Sequence, residues 1–221
     1  MICVGYVGVE AFDIILYIGR TLTTLNYPVL IVDLSETGAL TKAIYHGMEM
    51  DSLEDIIHYR NINYIRKVPK DSELKDYSKG VVFIVYGHNY KENLPLKMNY
   101  LNIITDPYPS NIDKINQVLC SADVVNIKLS ILVRNIITID DFDRVKGSLT
   151  YLQDHANTRY VYHDIYDYEN ALRCQTSQVI SFRRISSGMK KIIISEISKM
   201  LPFIKPSIIQ KAFYCAGKGV T

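Results

Sequence analysis

The chain has 221 residues, 48% hydrophobic and 22% charged, with a net charge of +2 and a mean hydropathy near zero. Those values exclude a disordered or fibrous chain and leave material for a core of domain size. Four scattered cysteines, Cys3, Cys120, Cys174 and Cys215, argue against a disulfide framework or a zinc site and suit a reducing compartment.

In chain order, Met1–Gly5 is a short apolar run that predicts a buried strand. Glu10–Leu25 then places Ala11, Ile14, Ile15, Ile18, Leu22 and Leu25 on one helical face. Pro28 opens Val29-Leu30-Ile31-Val32-Asp33, apolar on both faces as parallel strands between helix layers are. Further strands are predicted at Val81–Tyr86, Tyr100–Thr105, Ile127–Val133 and Tyr160–His163, with a shorter one at Tyr64–Val68. Helices are predicted near Ile112–Leu119, Asp140–Gln153 and Ser187–Leu201. This alternation predicts an α/β fold: a mostly parallel sheet with helices on both faces, ligands binding at the carboxyl ends of its strands. With no linker, repeat or low-complexity tract, residues 1–221 read as one domain. No apolar run approaches the ~20 residues of a membrane span, and no signal peptide opens the chain, so an intracellular protein is expected. The five histidines, 46, 58, 88, 155 and 163, are as dispersed as the cysteines, so no metal site is expected.

Charge is unevenly placed. From Asn170 to Thr221 nine Lys/Arg face one acid, Glu196, a net of +8, which leaves −6 for residues 1–169. A basic end suggests an anionic partner (DNA, anionic lipid or an acidic protein face), with Arg183, Arg184, Lys190 and Lys191 as its densest cluster. A solvated helical face explains the same lysines without a partner.

The segment Cys3-Val4-Gly5-Tyr6-Val7-Gly8-Val9-Glu10 falls where the first strand gives way to a helix, the position at which glycines let backbone N–H groups approach a phosphate. A dinucleotide fingerprint is one reading. It fits poorly: only two of the three glycines of G-x-G-x-x-G are present, and Asp33 lies 25 residues past Gly8, against the ~20 of that unit. The other reading rests on Val29-Leu30-Ile31-Val32-Asp33-Leu34-Ser35-Glu36-Thr37-Gly38-Ala39-Leu40-Thr41. This run resembles the second-strand segment of the ParA/MinD ATPases, which follows their KGGVGKT loop at nearly the spacing found here. The resemblance continues loosely through Gly80–Gly87, Ile103–Pro107, Leu129–Asn135 and Tyr160–Val179. It implies a P-loop NTPase fold and a nucleotide corner built from Gly5, Tyr6, Val7, Gly8, Val9 and Glu10, with Asp33 at the second strand and Asn135 near the base.

The same alignment implies that the chemistry is gone. The phosphate-binding lysine falls on Val9, the Mg²⁺-binding Ser/Thr on Glu10 and the signature lysine on Val4. The water-positioning Asp falls on Ser35, and the later strand's Asp on Tyr86 or Gly87. Glu10 would repel a phosphate from the helix N-terminus, where a carboxylate is itself favoured by ~0.3–1 kcal/mol. Glu10 is therefore expected to cap the helix. No cofactor is expected, although weak ATP or ADP binding through base and backbone contacts stays open.

Other features carry plainer readings. Asp140, Asp141 and Asp143 look like the first turn of a helix, and Asp164, Asp167 and Glu169 like a solvated loop. The seventeen tyrosines read mainly as strand and loop packing. Pro202–Ala216 has the outline of the membrane-seeking terminal helix of MinD-type proteins, but Pro206 interrupts it and its apolar face is small, so packing on the domain or on a partner is expected. Some relatives, the TadZ group of pilus systems, have irregular P-loops, and the chain resembles a compact, more degenerate member of that kind. That resemblance implies a homodimeric, non-catalytic factor that positions a membrane-associated pilus or secretion machine, cytoplasmic and held at the membrane by a protein partner. A DNA-segregation factor and a nucleotide switch with a rearranged site are the alternatives.

Overall fold

The computed structural model describes residues 1–44, 56–90, 97–121, 127–150 and 157–218. Eight strands form one sheet: β1 (Ile2–Gly8), β2 (Val29–Asp33), β3 (Ile57–Tyr59), β4 (Ile62–Ile65), β5 (Val81–Gly87), β6 (Tyr100–Thr105), β7 (Lys128–Ile136) and β8 (Asn157–Tyr162). Their order is β3-β4-β2-β5-β1-β6-β7-β8. Every neighbouring pair is parallel except the β3–β4 hairpin at one edge. The helices are α1 (Phe12–Thr24), α2 (Ala39–Ile44), α3 (Asp71–Leu74), α4 (Pro109–Ser121), α5 (Ile139–Ser148), α6 (Ile165–Ser177), α7 (Ser187–Met200) and α8 (Pro206–Lys218).

Alternation along each strand feeds two cores, because successive side chains point to opposite faces. Val29 and Ile31 join Val4, Phe83 and Leu132 beneath α1, α7 and α8. Leu30 and Val32 join Val7, Ile84 and Val133 beneath α4 and α5. The result is the expected three-layer arrangement. Each fully buried aliphatic side chain contributes about 1.5–3 kcal/mol relative to exposure, so this double-faced packing holds the sheet between its helix layers. At the centre is β1, paired with β5 on one side and β6 on the other.

Several boundaries differ from the sequence expectation. The first strand runs through Gly8 instead of stopping at Gly5, because Gly5–Gly8 stay in register with Leu101–Ile104 of β6. The strand expected at Tyr64–Val68 is β4, shifted to Ile62–Ile65, and its antiparallel partner β3 was not anticipated. The helix expected over Asp140–Gln153 spans Ile139–Ser148; residues 151–153 lie outside the described residues. Asp164 and Asp167 are not in a loop: Asp164 N-caps α6, accepting from the backbone N–H groups of Tyr166 and Asp167, and Asp167 is buried against Ser186. Nor does Pro206 interrupt the last helix. It is the first residue of α8, where the missing N–H has no helical partner to lose and φ is already suitable.

Candidate functional site at the carboxyl end of the sheet

The sheet's switch point lies at β1, where the chain turns to one side for β2 and later to the other for β6; open α/β sheets bind ligands at such a crevice. The connection from β1 to α1 is only Val9-Glu10-Ala11. Gly5, Tyr6 and Val7 do not reach it. They lie within the sheet, with Tyr6 buried edge-on to Phe83 at 5.8 Å and Gly5 packed under Met98 and Leu101. Gly8 has φ +109°, and a Cβ there would sit 2.0 Å from the Ile104 carbonyl oxygen. That same carbonyl accepts the Val9 N–H at 2.8 Å. The Val9 backbone donor is thus engaged with β6. The cavity bounded by Gly8, Val9, Glu10 and Gly87 is about 10 Å³, room for a single water and not for a phosphate group.

Glu10 does not act as the helix cap. The N-cap position is Ala11, which makes no side-chain cap bond, while the Glu10 carboxylate accepts a hydrogen bond from the Thr37 hydroxyl. Thr37 belongs to the loop after β2, and that loop is organised by Asp33. One Asp33 oxygen accepts from the Ser35 N–H (3.1 Å) and hydroxyl (2.5 Å), the other from the Thr41 N–H (3.3 Å) and hydroxyl (2.9 Å). With four donors arranged around it, Asp33 is a strut between β2 and α2. Beyond it Glu36 meets His88 at 3.5 Å and lies against Gly87. Burial pushes the Glu36 carboxyl up, but hydrogen bonds from its own backbone and from the His88 N–H and ring outweigh this and lower it.

On the other side of β1 a larger cleft opens. About 260 Å³ is bounded by Glu10, Arg134, Asn135, Tyr168, Leu172 and Gln175, drawing on β7, α6 and the start of α1. Asn135 does reach the carboxyl end of the sheet with Glu10, at a bulge in β7 where its φ is +58°. Arg134 was not anticipated. It forms a bidentate pair with Asp13 and also donates to the Glu10 carbonyl oxygen at 3.1 Å. A cation following the apolar Ile131–Val133 of β7, and a lone acid on the apolar face of α1, were the available sequence signals.

Arg183, Arg184, Lys190 and Lys191 gather around the α6–α7 connection. Arg183, Arg184 and Lys191 are exposed and Lys190 half-buried. Arg184 lies 5.3 Å over the Tyr166 ring, and the Arg183 carbonyl oxygen accepts from Asn170.

No protein-family model matches the chain, and no curated protein does. Solved structures match over nearly the whole length. A plasmid partition protein of Borrelia burgdorferi B31 bound to AMPPNP gives a TM-score of 0.63 at 11% identity, covering 92% of this chain and 99% of that one. The MinC:MinD cell division complex of Aquifex aeolicus gives 0.61 at 11%, covering 93% and 97%. A ParA family ATPase from Chlorobium tepidum TLS gives 0.55 at 14%, covering 87% and 96%. The fold is that of the ParA/MinD P-loop ATPases. No described helix is long and apolar enough to cross a membrane.

Proposed function

We propose that residues 1–221 act as one ParA/MinD-like unit whose phosphate corner has become structure: a pseudo-ATPase that serves, as a homodimer, as an assembly or positioning factor for a membrane-associated pilus or secretion machine. One observation carries the loss of nucleotide chemistry. The β1–α1 junction has the Val9 N–H tied to the Ile104 carbonyl oxygen, its cavity reduced to about 10 Å³, and a carboxylate at Glu10 in contact with Thr37. A triphosphate needs a lysine and a metal-binding hydroxyl at that point; Val9 and Glu10 supply neither, and the Val9 N–H is already engaged. The positioning role is supported by the TadZ-like sequence pattern and by neighbours in cell division and plasmid partition.

The test is thermal melting of the chain with millimolar ATP, ADP or GTP, with and without Mg²⁺. A site occupied at 100 times Kd would add ~2.7 kcal/mol. No shift is expected; a Mg²⁺-dependent shift overturns the reading and makes the protein a nucleotide switch.

A second reading, DNA association in a partition process, is supported by the exposed Arg183, Arg184 and Lys191. Duplex binding that weakens steeply with salt would favour it. Direct lipid attachment through α8 is disfavoured, because Ile209, Ala212, Phe213 and Ala216 are buried against the domain.

A further inference from the structure

Registered neighbours in a parallel sheet point to the same side, so Tyr100 and Lys128 share a face, as do Asn102, Ser130 and Asn157 one step further along. This polar platform lies at the amino-terminal ends of β6, β7 and β8, remote from the crevice that begins at Gly8. Its neighbours on that side of the sheet, Val4, Val29 and Phe83, are apolar. Above it the last turn of α7 brings Lys199, and between them a cavity of about 280 Å³ is lined by Tyr100, Asn102, Lys128, Ser130, Asn157 and Lys199.

The floor is pre-arranged. The Ser130 hydroxyl donates to Asn102 Oδ1 at 2.5 Å, and Asn102 Nδ2 donates to Glu196 Oε2 at 3.0 Å. Glu196, 6% exposed, also takes Lys199 at 3.1 Å and pairs with Arg159. Tyr100 donates its hydroxyl proton to the Lys199 carbonyl oxygen at 3.0 Å, fixing the end of α7 over the cavity. Lys128 sits 5.5 Å over the Tyr100 ring, and among the described residues no carboxylate pairs with it. Lys199 and Arg159 share the Glu196 carboxylate, which leaves Lys128 at the cavity with no carboxylate of its own among the described residues. An excess of positive charge beside buried hydrogen-bonding groups is stabilised by an incoming anion.

We propose that this cavity binds a small metabolite through an oxyanion group, a phosphate or a carboxylate, held by Lys128 and Lys199 with Ser130 and Asn157 as polar contacts. The volume is at the small end of ligand pockets, below that of a nucleotide.

Isothermal titration of the full chain with sodium phosphate and, separately, with sodium succinate tests this, each against sodium chloride at matched ionic strength. Saturable binding of at least one is expected, weakened about tenfold, or 1.4 kcal/mol, in Lys128→Met. Lys128 is exposed, so that variant keeps its fold, checked by an unchanged melting temperature. Lys199→Gln is the second arm, and it too weakens binding. Phosphate alone binding assigns the site to phosphate esters, and succinate alone to carboxylates. Absence of saturable heat with both probes, or equal affinity in the Lys128→Met chain, overturns the proposal.

Discussion

Arg134 of β7 grips Asp13 of α1 with both guanidinium nitrogens, at 2.9 and 2.7 Å, and the same Nη1 donates to the Glu10 carbonyl oxygen at 3.1 Å. One side chain thus locks the end of β7 to the start of α1. Arg134 is 12% exposed and Asp13 4%, so little water competes for either charge. The pair closes one flank of the β1–α1 junction, while Thr37 on Glu10 closes the other. A junction held from both sides cannot open around a phosphate without losing these contacts.

Replacing Arg134 by Met leaves the Asp13 carboxylate buried without its cation. Chemical denaturation should show a loss of about 3–5 kcal/mol, most of it recovered when Asp13→Leu is added, because a buried pair can be replaced by apolar groups at little cost. An Arg134→Met chain as stable as the wild type would mean the pair contributes nothing, and a double variant no more stable than the single one would mean the loss does not come from the stranded Asp13 carboxylate.

Restoring side chains alone should not restore nucleotide binding. The double substitution Val9→Lys with Glu10→Thr supplies the missing lysine and hydroxyl, yet leaves the position 9 N–H bonded to Ile104 and Gly8 close against β6. Its melting temperature is expected to be the same with and without millimolar Mg·ATP. A clear upward shift would show that side-chain identity, and not the strand geometry, had disabled the corner.

Asp167 sets a pH dependence. Burial raises its carboxyl above the usual range, with Asp164 and Asp13 adding to the effect and hydrogen bonds from Ser186 opposing it. A folded-state value above the unfolded ~3.9 means the native state holds this proton more tightly, so stability falls as pH rises from about 4 through the folded value. Asp167→Asn removes that contribution. The melting temperature of the variant minus that of the wild type should therefore grow between pH 3.5 and 7; a flat difference refutes the assignment.

The last helix is a structural brace. Phe213 is 1% exposed and meets Phe182 with ring centroids 5.2 Å apart, whereas Phe203, just before α8, is 73% exposed. Phe213→Ala should destabilise by about 3–5 kcal/mol and Phe203→Ala by no more than about 0.5 kcal/mol. Flotation with anionic vesicles should leave the wild-type chain in the protein fraction; co-flotation that persists when Arg183 and Arg184 are replaced by Ala would show that α8 leaves the domain for lipid.

The sequence was most legible where one face or two faces are continuously apolar. Val29–Asp33 and Tyr100–Thr105 were located to the residue, and Ser187–Leu201 within one, since burial on both sides of a strand and a 3.6-residue stripe on a helix are local patterns. Edges and ends were read less well. β3 has three residues and takes its conformation from β4, and Pro206 is read correctly only once the start of α8 is known.

By itself, then, the sequence determined the three-layer α/β architecture, the absence of lysine and hydroxyl at Val9 and Glu10, and the basic final quarter, all properties of residue type and spacing. Tertiary structure alone decided that Gly5–Gly8 is strand and not loop, that Asp33 is a strut, that Arg134 meets Asp13 across 121 positions, and that Tyr100, Lys128 and Lys199 enclose a cavity. The reason is physical. Hydrogen-bond and charge partners are chosen by proximity in the folded sheet, and proximity between distant segments has no periodic signature along the chain.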